Sequence, residues 1–219
     1  MGGKCLIPAL FLAALSMGSQ ALAAPEAEAK PDADEARIQS LERICAKVAC
    51  RKSVRTLSLR AAGGKEVEAS TERYPYLDDH GSIVIYPGET ISVALPGQDE
   101  GLGQPTLVAV TDPDGPVALS SAAAGPANLS FQLEEFGKDK PGMLLRIDNQ
   151  INSALKYDLT MFVAAGDGFR AMHTSACTLL PPQSGLKSFG GFESWPHPIV
   201  MLVISNIHGL PKGTPQSCQ

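Results

Sequence analysis

Asp78, Asp79 and His80, in the stretch "YPYLDDHG", set two carboxylates beside an imidazole. Such groups can hold a metal ion or relay a proton, and as a site they would serve a hydrolase. Successive strand residues point to opposite faces, so Asp79 and His80 converge only if the chain turns there. Asp-Asp-His-Gly before an apolar run is also the wording of an ordinary solvated turn. A second set is softer. Met172, His173, His197 and Met201 combine thioether and imidazole donors, which suit copper and a metal carrier. No His-x-His or Met-x-x-Met cluster supports that reading, and methionine in a strand is usually core filler.

The third candidate is "FGGFESWPHPI", Phe189 to Ile199. Phe189, Phe192 and Trp195 recur every third residue, a spacing that stacks side chains on one side of a 3₁₀-like turn. Gly190 and Gly191 argue against a regular helix, and Trp195 and His197 each precede a proline, which biases them to extended backbone. The stretch therefore reads as a stiff aromatic loop. Phe189, Phe192, Trp195 and His197 are its candidate ligand-binding residues, for a glycan or a protein partner. The competing reading folds all three rings inward as a lid, where each buries roughly 150–250 Å². That gain favours the lid.

Other chemistry is absent from the text of the chain. It holds no Gly-x-Ser-x-Gly, no His-Glu-x-x-His, no phosphate-binding Gly-x-x-x-x-Gly-Lys loop and no Cys-x-x-Cys pair. The expectation leans to a non-enzymatic binding or envelope-associated protein that uses no cofactor. A formal net charge of −5 gives no basic footprint for nucleic acid. Asn128-Leu129-Ser130 matches a glycosylation sequon, but it falls where a strand should begin, and a chance match is the default.

Stepping outward, the chain opens with Lys4, an apolar run from Cys5 to about Met17, and small residues at Ala21-Leu22-Ala23. This is the form of a cleaved export signal over residues 1–23, too short to span a bilayer as a helix. No membrane span is expected after cleavage, and the protein should be periplasmic or secreted. In an oxidising compartment the remaining Cys45, Cys50, Cys177 and Cys218 read as two disulfides. Proximity in sequence favours Cys45 with Cys50 and Cys177 with Cys218.

The small, charged, proline-marked residues 24–33 read as a flexible leader, and residues 34–219 as one domain. Ile38, Leu41, Cys45 and Val48 repeat at helical spacing, which predicts one helix over about 35–48, capped by Asp32 or Asp34. After Cys50 the pattern becomes strand-like. "SVRTLSLRA", "SIVIY", "TISVAL", "TLVAVT", "NLSFQLEEF", "GMLLRIDN" and "ALKYDLTMFVAA" alternate or run apolar between turn signals such as "PGE" and "DPDG". The apolar centre of "HPIVMLVISNI" suggests a strand covered on both faces. The fold class is mainly β: an antiparallel sandwich, immunoglobulin-like by analogy of architecture only, with one N-terminal helix.

Overall fold

A computed structural model describes residues 33–97, 99–119, 125–137, 141–165, 168–215 and 217–218. The expected signal at 1–23 and leader to residue 32 lie outside the described residues, as does most of the small-residue loop at 120–124. The helix α1 runs Ala33–Cys45, slightly earlier than its apolar spacing indicated, and turns replace its expected end at 46–48.

Two strands, β1 (Thr56–Arg60) and β2 (Glu66–Ser70), form a separate antiparallel ribbon. The remaining strands are β3 (Ile83–Ile85), β4 (Thr90–Ala94), β5 (Thr106–Asp112), β6 (Gly115–Pro116), β7 (Leu129–Glu135) and β8 (Met143–Asn149). They continue with β9 (Leu155–Ala165), β10 (Gly168–Ser175), β11 (Phe189–Trp195) and β12 (Ile199–Gly209). A four-stranded sheet has the order β10-β9-β12-β3, and a six-stranded sheet the order β11-β8-β7-β4-β5-β6. Every pairing is antiparallel. The described residues form a mainly β protein with sandwich packing and one α-helix near the N-terminal end.

The core follows from the period-two pattern. Leu155, Tyr157, Leu159 and Met161 line the inner face of β9, and Phe131, Leu133, Leu145 and Ile147 that of β7 and β8; all are buried. Phe131 and Tyr157 meet edge-on across the two sheets, ring centroids 6.3 Å apart, so the two inner faces share one core. "SIVIYPGETISVA" is a corner, not a hairpin. Its strands β3 and β4 enter different sheets, joined by a turn in which Gly88 takes φ 85°, the conformation a Pro-Gly turn requires. The strand β12 departs from the sequence reading on one face. Ile199, Leu202 and Ile204 are buried, whereas Met201 and Val203 on the other side are only half-covered.

Both expected disulfides are formed, Cys45–Cys50 and Cys177–Cys218. The second ties the C-terminal tail to the chain leaving β10, where Thr178 N–H also donates to Ser217 O at 2.9 Å. Among the described residues no helix is long and apolar enough to cross a membrane.

Candidate functional site

The aromatic stretch is a strand, not a loop. β11 is the edge of the six-stranded sheet and pairs with β8 without interruption from Phe189↔Asn149 to Trp195↔Met143. Residues three apart in a strand lie on opposite faces, so the expected single stack of three rings does not form. Phe189 and Trp195 turn inward and pack on the core, half-buried. Phe192 turns outward and is 74% exposed. The lid and the open platform are thus both present, on two faces of one strand. His197 sits half-buried in the connection to β12, off the strand that carries the three rings, and its carbonyl accepts from Ile199 N–H at 3.0 Å.

Inward contacts fix β11. A Cβ on Gly191 would meet Leu179 Cδ1 at 2.6 Å, so the buried leucine occupies the space a side chain would need. Glu193 accepts from Cys177 N–H at 2.7 Å and is hydrogen-bonded by the Tyr157 hydroxyl. Burial, reinforced by the Glu193 charge, raises the Tyr157 pKa well above the ordinary phenol value. Gly190 is the opposite case. A Cβ there would meet nothing within 4 Å, so neither packing nor backbone conformation calls for glycine.

The outer face at β11 is ordered by register. Phe192, Arg146, Gln132 and Thr90 form one cross-strand row, and Gly190, Asp148, Ser130 and Ser92 the next. All of these but Ser92 line an open groove of about 450 Å³, with Gly190 leaving its surface bare of a side chain. Arg146 donates through Nε to Glu134 Oε1 at 2.5 Å, and Asp148 Oδ2 accepts from Gln150 Nε2 at 3.2 Å. The groove therefore offers an exposed ring, donors and acceptors, with one arginine, already paired with Glu134, and one aspartate in its lining.

The other candidates separate. Asp78 Oδ1 accepts from His80 N–H at 2.9 Å and Ser82 N–H at 2.7 Å, which makes it the cap of a turn. Asp79 and His80 are each 84% exposed, with Oδ1 and Nε2 3.5 Å apart, in open solvent. Met172 and His173 are neighbours in β10 and face opposite ways. His173 Nδ1 lies 2.9 Å from Thr160 Oγ1. β9 stands between His173 and Met201, about two strand spacings or ~10 Å, too far for one metal ion to bridge. Asn128 of the sequon spends its amide on Leu95, donating to its carbonyl and accepting from its N–H, both at 2.9 Å.

One constellation escaped the sequence. Arg51 and Glu89, 4% and 0% exposed, form a buried ion pair with Nη2–Oε2 at 2.5 Å and Nε–Oε1 at 2.8 Å. Arg51 Nη1 donates to Tyr74 O and Pro75 O, and Nη2 also to Val84 O. Glu89 accepts further from Arg55 Nη2 at 3.0 Å and Tyr86 N–H at 2.9 Å. The rings of Tyr76 and Tyr86 each lie 4.4 Å from the guanidinium carbon. All five donors of Arg51 and four acceptor positions of Glu89 are taken, so the pair has nothing left for a substrate. It is a clamp between the segment after Cys50 and the β3–β4 corner. An arginine beside a cysteine and a glutamate after Pro-Gly carry no periodic signal, which is why spacing did not reveal them.

No family model, curated protein or solved structure matches the chain.

Proposed function

We propose that this is an extracytoplasmic, non-enzymatic binding module that holds a neutral glycan on the outer face of its six-stranded sheet at β11. Phe192 carries the reading: a large ring, 74% exposed, presented by a regular strand and not by a mobile tip. Of the exposed large apolar side chains among the described residues Phe192 is the most open, and its ring stands beside polar groups, the pairing on which a sugar face can stack while its hydroxyls bond. The row beside it supplies Arg146, Gln132 and Thr90, and the next row Asp148 and Ser130, groups that bond hydroxyls as donors and acceptors. With its one arginine already paired with Glu134 and Asp148 beside it, the groove suits an uncharged polyhydroxyl ligand better than a phosphate or an acidic peptide. Unneeded for packing, Gly190 leaves the groove open to close approach, a known use of glycine in strands. Two disulfides and the signal-like N-terminus support export.

The test is calorimetric titration of the exported protein with a panel of neutral oligosaccharides. The N-terminal residue is read first, and Ala24 is expected. Phe192→Ala should weaken binding about tenfold, the size of one aromatic contact of ~1.5 kcal/mol, while the unfolding transition stays in place. Gly190→Val should block binding and leave the fold intact. Absence of binding to every glycan, or equal binding by Phe192→Ala, would sink the reading.

A further inference from the structure

β11 is an edge strand without the devices that normally protect edges. Such strands carry outward charges, prolines or bulges, or are very short, because unpaired backbone groups template pairing with another chain. The other edges comply: β3 has three residues before Tyr86-Pro87, β6 is two residues ending in Pro116, and β10 carries exposed Arg170 and His173. β11 has seven residues, an unbroken register with β8, no lysine, arginine or proline. Its single charge, Glu193, is turned toward Tyr157 and the Cys177 amide. Among the described residues its backbone pairs with β8 alone.

We infer that β11 pairs antiparallel with β11 of a second copy, on a dyad through Phe192, joining two six-stranded sheets into one continuous sheet. The sequence is self-complementary in that register and in no neighbouring one. Paired residues must share a face, so the dyad has to pass through a residue. Through Glu193 it would oppose two carboxylates, and through Gly191 it would leave the end of the strand unpaired. Through Phe192 all seven residues pair. Phe192 meets its own counterpart on the outer face, and Phe189 meets Trp195 of the other copy on the inner face, twice. Gly191 meets Glu193, so the two carboxylates are kept from direct opposition, and Gly190 meets Ser194. The half-buried Phe189 and Trp195 gain the cover they lack, and the most exposed ring of the strand gains an aromatic partner.

The inference goes beyond the glycan reading, though a dyad would set two Phe192 rings side by side on one platform. It is tested without glycan, so either can fail alone. Sedimentation velocity should give twice the chain mass at micromolar concentration. Phe192→Lys, which opposes two ammonium groups at a site already exposed, should give the monomer mass with unchanged circular dichroism. Phe192→Cys should form a disulfide-linked dimer on mild oxidation. Gly190→Cys should not, unless Ser194→Cys is added in the same chain. A monomeric wild type, a dimer indifferent to Phe192→Lys, or efficient cross-linking through Gly190→Cys alone would overturn it.

Discussion

Arg51 and Glu89 show how one residue pair can organise a fold without contributing to its chemistry. Ions this deep are tolerable only when every polar atom is partnered, and here each is. Removing one partner leaves the other charged, desolvated and unpaired. Arg51→Ala or Glu89→Gln should therefore destabilise the protein by about 3–5 kcal/mol, read as a lower urea midpoint. The double variant Arg51→Met with Glu89→Leu should lose much less, since it removes both charges together. If the single and double variants unfold alike, the clamp contributes only packing. Residue types alone made the cysteine pairing and the turn at Asp78 readable. The clamp was not readable, because its partners lie 38 positions apart in sequence and meet only when the β3–β4 corner has formed.

At the scale of elements, strands were legible wherever side chains marked the alternation, as Leu155, Tyr157, Leu159 and Met161 do in β9. β11 was not, because glycine occupies two of its seven positions and erases the alternation there. The remaining aromatics then suggested a period of three. The helix α1 was legible in type but not in attachment. Its expected stripe is only partly docked: Leu41 is half-buried, whereas Ile38 is 54% exposed. It is held by the Cys45–Cys50 disulfide and an exposed Arg37–Glu72 bridge of 2.6 Å, a contact worth at most about 1 kcal/mol. A free helix of 13 residues is marginal in water. Replacing Cys45 and Cys50 by serine should therefore release α1, with lower helical circular dichroism and early protease cleavage within residues 33–45. The sandwich should keep its unfolding midpoint. Loss of the sandwich transition in that variant would show that the helix is integral to the core.

For the whole molecule, the tyrosines connect both ends of the sandwich to one measurable property. Tyr76 and Tyr86 flank the clamp, and Tyr157 lies in the core under β11, bonded to Glu193. Burial raises all four tyrosines of the chain above the ordinary value, Tyr86 to about 12. An unfolded tyrosine ionises near pH 10. The folded pKa is the higher one, so the unfolded chain gives up the proton first as pH rises. The stabilisation from keeping these phenols neutral is whole below pH 10 and is lost as pH climbs toward 12. The fold should thus be insensitive to pH on this account up to about 10 and then weaken steeply. Phenolate absorbance should rise together with loss of the near-ultraviolet circular dichroism, in one transition. A normal phenolate titration near pH 10 with the aromatic signal retained would mean that these side chains are open to water. In that case neither the clamp nor the seat of β11 would be packed as described.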